Sequence, residues 1–383
     1  MGIHFSKEEF KERQSRVIKE LKNQGLDALL MFKQESMYWL TGYDTFGFVF
    51  FQCLILTAKG DLILLTRAPD LRQAQNTSII KDIRIWIDKD KSNPSDQLKN
   101  ILEELRLEKL NLGVEYEAYG LTGRNAIRLN SSLNNFATLH DKSELVSHFR
   151  VVKSTAEITY VKKAAELADR AMEAAWKNAH SGVSESKILA EMQGAIFNGG
   201  GDYPANEFII GSGKNALLCR YQSEKRNLDE IDQLSIEWAG TYKHYHSAMF
   251  RTIPIGKVND KQKKMYTACT VALKACENKL KPGNKVGEVF DVHAEVFDEM
   301  GYKKSRMNAC GYSLGTTFAP NWMDWPMLYN GNPVILSSGM VFFMHMILMD
   351  SENQLAMNLG ETYLLTNSGN QRLGKKKLDL VIG

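Results

Sequence analysis

The chain has 383 residues, enough for two domains that each bury a core of their own. A hydrophobic share of 44% and a charged share of 24% exclude a disordered or fibrous protein. The net charge of +3 arises from acidic and basic residues interspersed along the chain, which leaves no footprint for nucleic acid.

Five cysteines, Cys53, Cys219, Cys269, Cys276 and Cys310, are odd in number and scattered, with no CxxC pair. Neither a disulfide framework nor a cysteine zinc site is indicated. The start, Met1-Gly-Ile-His-Phe-Ser-Lys-Glu-Glu9, lacks an apolar signal core, and the longest apolar run, 46–58, is too short for a bilayer. A cytoplasmic protein with no membrane attachment is the expectation.

Ser6 is positioned to cap a helix over 7–25 with Phe10, Val17 and Leu21 on its apolar face. Asp27-Ala-Leu-Leu-Met-Phe32 reads as a buried strand. Strands over 48–57 and 61–66 follow, joined by the turn Ala58-Lys-Gly-Asp61. A helix over 95–105 and the strand Leu110-Asn-Leu-Gly-Val114 continue the alternation, so residues 1–150 are expected to form an α/β domain.

The pattern changes at Ser154-Thr-Ala-Glu157, a capping box in which hydroxyl and carboxylate satisfy orphan amides reciprocally. It opens a long amphipathic helix with Ile158, Val161, Ala165, Ala168, Met172 and Trp176 on one face. Further helices are expected over 184–197, 261–279 and 286–300. Strands are expected over 207–210, 233–238, 248–254, 340–348 and 361–366. Residues 151–383 therefore read as an α+β domain, its helices packed on an antiparallel sheet.

The most informative stretch is 234–252, two strands joined by a turn. Glu237 stands there alone between Ile236 and Trp238. A buried carboxylate is costly unless it is paired or functional, and Arg220, Arg251 and the histidines are the available partners. Ala248 occupies the matching place on the second strand, where a two-metal hydrolase would need another carboxylate. His244 and His246 alternate at strand spacing, but two histidines do not complete a metal site. Arg220 follows the apolar Ala216-Leu-Leu-Cys219 and reads as a partly buried fork suited to a carboxylate. His345 interrupts the otherwise apolar 340–349. Gly211-Ser-Gly-Lys-Asn215 lacks the later glycine of a phosphate loop and reads as a plain turn.

The order of these elements resembles the creatinase, aminopeptidase P and prolidase family, the pita-bread fold, over nearly the whole chain. The resemblance is carried by 150–157, by Tyr242, Tyr245, Ser247, Arg251 and Thr252, by Gly311 and Gly315, by Gly339-Met-Val341 and by Glu361-Thr-Tyr-Leu-Leu-Thr366. It implies an α/β N-terminal domain (1–150) and a pita-bread catalytic domain (151–383). The family's peptidases hold two metals with Asp, Asp, His, Glu and Glu. Those positions here carry Glu237, Ala248, Tyr312, His345 and Gly360, with Glu361 adjacent to the last. Tyr203-Pro-Ala-Asn-Glu-Phe-Ile-Ile-Gly211, Ala216-Leu-Leu-Cys-Arg-Tyr221, 237–246, Gly311-Tyr-Ser-Leu-Gly315 and Ala319-Pro-Asn-Trp322 are similar to the metal-free ectoine hydrolases of the family.

Ectoine is a cyclic amidinium carboxylate. The resemblance implies that Glu237 attacks the amidinium carbon or activates water, that His345 protonates the departing nitrogen, and that Tyr312 bonds near the tetrahedral centre. Arg220 would clamp the carboxylate. Tyr203, Trp238, Tyr221 and Trp322, with Trp325, would offer rings to the cation, and Glu361 would stand close by. No metal or other cofactor is implied. A small-molecule substrate, ectoine or hydroxyectoine, and a homodimer are, with Phe46 and the loop 38–44 reaching over the partner's cleft. Three alternatives stay open: an Xaa-Pro dipeptidase-like metallopeptidase, a creatinase-like amidinohydrolase, and a non-catalytic binding protein.

Overall fold

Ser6 accepts the Glu9 amide at 3.1 Å and so starts helix α1 (Lys7–Asn23), which buries Phe10, Val17 and Leu21. The computed structural model describes residues 2–220 and 225–383, in two compact units, Met1–Arg150 and Val151–Gly383.

In the first unit, strand β1 (Ala28–Met31) precedes helix α2 (Gln34–Thr41). Strands β2 (Cys53–Thr57) and β3 (Leu62–Arg67), helix α3 (Leu71–Thr77) and strand β4 (Asp82–Trp86) follow. Helix α4 (Pro94–Glu104), strand β5 (Asn111–Val114), helix α5 (Gly123–Leu133), strand β6 (Thr138–Asp141) and helix α6 (Leu145–Arg150) complete it. The strands form a mixed sheet in the order β4-β3-β2-β1-β5-β6. Leu29 and Met31 pack with Val17 and Leu21 of α1, whereas Ala28 and Leu30 pack with Leu98 and Leu102 of α4. Both faces of β1 are thus covered, the reason its sequence is continuously apolar.

Where the sequence suggested a loop through 38–44, residues 34–41 are helical, and Tyr38, Trp39 and Tyr43 are fully buried. The cause lies far away in sequence. The buried Glu115 carboxylate accepts the amides of Phe32 (3.1 Å) and Lys33 (3.0 Å) and the Ser36 hydroxyl (2.5 Å), which fixes the entry to α2. Phe46, Val49 and Phe50 remain exposed beyond it.

The second unit begins with helices α7 (Thr155–Asn178) and α8 (Glu185–Asn198) and strands β7 (Ile209–Ser212), β8 (Asp232–Tyr242) and β9 (Tyr245–Ile255). Helices α9 (Asp260–Lys279) and α10 (Val286–Glu299) come next. Strands β10 (Ala309–Ser313), β11 (Asp324–Tyr329), β12 (Val341–Asp350), β13 (Leu355–Thr366) and β14 (Gly369–Arg372) close the chain. The strands pair antiparallel in the order β11-β10-β12-β13-β9-β8-β7, with β14 on β13.

The expected capping box is present at Ser154 and Glu157, and the Glu157 carboxylate also accepts the Tyr245 hydroxyl at 2.7 Å. That bond ties the start of α7 to β9. Phe342, Met344, Met346 and Leu348 of β12 pack with Met265, Cys269 and Leu273 of α9 and Phe290 and Phe297 of α10. Side chains alternate along a strand, so Phe343 and His345 point to the opposite face. Helix α7 comes close to β8 because Gly240 has no Cβ: one built there would lie 2.0 Å from the Ala164 oxygen. No described helix is long and apolar enough to cross a membrane.

Glu115→Ala leaves three donors at the start of α2 without their acceptor. It is expected to destabilise the first unit by about 3 kcal/mol in urea unfolding, and Glu115→Gln, which keeps one carbonyl oxygen, by clearly less.

Candidate active site

Strand register assembles the site. Glu237 pairs with Phe250, Phe250 with Gly360, and Gly360 with His345, so these four stand side by side on β8, β9, β13 and β12. Tyr312, on β10, is opposite Phe343. In a flat sheet β8 and β10 would be four spacings apart, about 19 Å. Yet the Tyr312 hydroxyl donates to Glu237 Oε1 at 3.2 Å. A tyrosine and a glutamate cannot span the flat distance, so the sheet curls and this face is concave.

Trp322 closes the group by donating its indole N–H to the Tyr312 oxygen at 2.9 Å. The Tyr312 ring lies 5.4 Å from that of Phe343 and 5.8 Å from that of His345, and the last two are 5.5 Å apart. These separations are ordinary for aromatic contacts and pack the three rings as one cluster.

Two anchors bound the concave face. At one end the Gln233 amide donates to the Gly213 carbonyl at 2.9 Å, holding the helical turn Gly213–Leu217 against β8. At the other end His246 accepts the Ala205 amide on Nε2 at 2.9 Å and meets the Thr317 hydroxyl with Nδ1 at 3.1 Å. Because Nε2 accepts, the ring proton is on Nδ1 and is donated to Thr317. Burial pushes the pKa of His246 down to about 3, so the ring stays neutral and joins two loops to the β8–β9 hairpin. His244 does not share its strand. It sits in the hairpin turn with φ 63° and stacks on Phe318 at 4.2 Å.

Electrostatics separate the three polar groups. Burial raises the Glu237 pKa to about 7, against the pull of the Tyr312 hydrogen bond and the Arg220 charge. Burial lowers that of His345 to about 4, and Arg220 adds repulsion. Tyr312 is held well above the usual phenol range by burial and by Glu237. Near neutral pH the site therefore presents a carboxyl at its titration point, a neutral imidazole and a neutral phenol. His345 Nδ1 is buried and has no hydrogen-bond partner among the described residues.

Several expected positions need correction. Trp238 belongs to the other face: it packs under α7 and donates to the Ala168 carbonyl at 3.0 Å, because adjacent strand residues point oppositely. Glu361 also faces away from Glu237. It is fully buried in an ion pair with Arg251, with Arg372 at 3.8 Å, so Gly360 is the site-face position. Arg220 is exposed rather than partly buried, although its charge is felt by Glu237, Tyr312 and His345. Tyr203 is 81% exposed and stands edge-on to Phe197 at 4.9 Å. Trp325 packs at the edge of the helix-side core. Tyr221 lies outside the described residues. Phe46, expected over a partner's cleft, lies in the first unit and is 72% exposed, which leaves that expectation standing.

Phe343 and Phe250 were missed. A Cβ on Gly360 would meet the Phe343 ring at 2.7 Å and Phe250 Cβ at 2.9 Å, so the Phe343 ring, with Phe250 beside it, fills the place of a fifth ligand. The signal available was the two-residue spacing of Phe343 from His345.

The residues do not fit the family's pair of metals. Ala248 has no donor atom, Phe343 occupies the space at Gly360, and the Tyr312 oxygen is engaged by Glu237 and Trp322. Among the described residues no three His, Cys, Asp or Glu side chains converge as a metal site.

Comparison with known proteins agrees with this architecture. The chain is 27% identical to an ectoine hydrolase from Halomonas elongata, covering 97% of each chain. It is 25% identical to an Xaa-Pro dipeptidase from Pyrococcus horikoshii, covering 97% of this chain and 99% of that one. The structure of a prolidase from Thermococcus sibiricus superimposes with a TM-score of 0.88 at 21% identity, covering 98% of this chain and 99% of that one. The model of the creatinase/prolidase N-terminal domain matches residues 13–152, and that of metallopeptidase family M24 matches 159–367. The chain belongs to metallopeptidase family M24, with a creatinase/prolidase-type N-terminal domain and a pita-bread C-terminal domain.

Proposed function

We propose that this protein is a metal-independent hydrolase that opens the cyclic amidine ring of ectoine to N-acetyl-diaminobutyrate. The observation that carries the reading is Glu237, a buried carboxylate held by Tyr312 where the other ligand positions of the family contain Ala248, Tyr312, His345 and Gly360. The 27% identity to an ectoine hydrolase supports the substrate class.

An amidinium carbon is already electrophilic, and its cation stabilises the ionised form of a carboxylate whose pKa is otherwise near 7. In the water-mediated course Glu237 takes one proton from water as the oxygen bonds to the ring carbon. It returns that proton to the departing nitrogen, and as the C–N bond breaks and the amide carbonyl forms the remaining hydroxyl proton passes to the released amine, which leaves as an ammonium. In the covalent course the Glu237 oxygen attacks first, and the C–N bond breaks as the departing nitrogen takes a proton from solvent. Water attacking the Glu237 carboxyl carbon then releases the amide and restores the carboxylate. His345 offers its neutral imidazole as a hydrogen-bond partner to the ring nitrogen. Arg220, on the rim, pairs with the substrate carboxylate. Phe343, Phe250 and Tyr312 supply an apolar and aromatic floor.

The dipeptidase identity of 25% supports a second reading, a metallopeptidase. The two separate on chelation: ectoine opening is expected to be unchanged by a strong chelator and by added divalent metal. Loss of activity on chelation with recovery on metal addition would favour the peptidase. A homodimer, active in the cytoplasm, belongs to the same proposal. The exposed apolar loop of Phe46, Val49 and Phe50 is suited to a partner surface, and light scattering reads the mass.

Glu237→Gln is expected to lower ectoine turnover by about a thousandfold, and His345→Ala by about a hundredfold, followed by NMR. In the wild type kcat/KM should rise with pH through about 7, because protonated Glu237 neither attacks nor accepts a proton. Single turnover in labelled water distinguishes the courses, since only the covalent one can transfer the label into Glu237. The inactive variant also reports on charge burial. The Glu237 pKa is higher folded than unfolded, so its stabilising contribution is present below pH 4.5 and lost as pH rises through about 7. The melting midpoint of Glu237→Gln relative to wild type should therefore climb between pH 5 and pH 8.5.

A further inference from the structure

We propose that Trp322 is a positioning residue that acts on Glu237 through Tyr312, an inference that deepens the hydrolase reading and rests on it for the catalytic consequence. An indole N–H can only donate. Its 2.9 Å bond to the Tyr312 oxygen therefore takes an acceptor lone pair of the phenol and leaves the phenol hydrogen to point elsewhere. Glu237 Oε1 is the acceptor it meets, at 3.2 Å. The order of donation, Trp322 to Tyr312 to Glu237, runs one way.

The neighbours prevent Tyr312 from escaping this arrangement. Phe343 and His345 pack against its ring, and its backbone is locked in β10 between β11 and β12. Trp322 is itself fully buried. An Asn321 side chain that accepts the Met323 amide at 3.0 Å brackets it, and its ring lies 6.4 Å from His246, the clamp that ties Thr317 and Ala205 to the hairpin.

Two consequences follow for the chemistry. Oε1 of Glu237 is committed to the phenol, so Oε2 is the oxygen that meets the amidinium carbon or its water. A phenol donor also favours the ionised carboxylate, because it has no bond of equal strength to give a protonated one. Trp322 thus keeps Glu237 both oriented and more readily ionised without touching the substrate. Its identity as tryptophan matters for the ring nitrogen, beyond the volume it fills.

The test follows Glu237 directly in the ligand-free protein by the infrared carbonyl band that appears on protonation and is missing in Glu237→Gln. Trp322→Phe and Tyr312→Phe are each expected to raise the midpoint of that band by about one pH unit. The double variant should shift it no further than Tyr312→Phe alone. With ectoine, Trp322→Phe should lose about tenfold in kcat/KM at pH 7 and recover most of it at pH 9. In wild-type protein labelled at the indole nitrogens, one indole N–H resonance should move with the same midpoint and stay fixed in Glu237→Gln.

This last measurement needs no substitution at Trp322 and stands even if Trp322→Phe fails to fold. A folded Trp322→Phe with the wild-type midpoint, additive shifts in the double variant, or no titrating indole resonance would each overturn the proposal. A protein that shows the relay but opens no ectoine would instead remove the assigned substrate and leave the positioning role in place.

Discussion

The candidate site depends on the curl of one antiparallel sheet. Glu237 and Tyr312 belong to strands separated by three others, and their hydrogen bond exists only because the sheet bends toward its site face. The helices supply the backing for that bend. Helix α7 presses closely on β8 at Gly240, while α9 and α10 pack on the outward-pointing residues of β12 and β13. A sheet buried under helices on one side and left concave on the other gives each strand two kinds of alternate residue. The division explains why Glu237 and its neighbour Trp238 have unrelated roles, as do Gly360 and Glu361.

The same bend determines the chemistry available. It draws Glu237 out of water with no countercharge among the described residues in direct contact: Arg226 is paired with Asp232, and Arg251 points to the other face and is paired with Glu361. A carboxylate so placed titrates near neutrality. The family's peptidases surround this position with further donors that would share a positive centre. Ala248 and Gly360 remove two of them, and the Phe343 ring fills the space that the second leaves. The result is a carboxyl poised to exchange a proton at physiological pH, suited to a cationic substrate that brings its own electrophilic carbon.

Much of this was legible in the residues, and the failures are instructive. The capping box at Ser154 and Glu157, the long helices and the two strands around Glu237 are local patterns, and local patterns survive reading in one dimension. Helix α2 was not legible, because its entry is fixed by Glu115, distant in sequence at the end of the neighbouring strand β5. Helix α5 buries only Leu129 and Leu133 and carries the exposed Ile127, so its apolar stripe is too thin to announce a helix. At the site, Glu237, Tyr312 and His345 were found by the chemistry their positions lack. Trp238 and Glu361 were drawn in by adjacency, and strand alternation is what removes them. Whether Arg220 would be buried could not be read from the apolar residues before it. Leu218 is itself half-exposed, so that run is part of a rim rather than a core.

Arg220's exposure bears on how such a site could discriminate. A guanidinium left in water incurs little desolvation cost before a ligand arrives, and its charge is already felt by Glu237, Tyr312 and His345. A ligand carboxylate that pairs with it would screen that charge as the amidinium reaches Glu237. The two ends of a zwitterionic substrate then make opposite demands on the same carboxyl: the cation stabilises its ionised form, while the anion weakens the help from Arg220. The Tyr312 hydrogen bond is made within the protein, so it would bias Glu237 toward the ionised form whichever end of such a ligand arrived first. A site with its anchoring donor inside and its adaptable cation on the rim can close around a compact zwitterion without burying an unpaired charge.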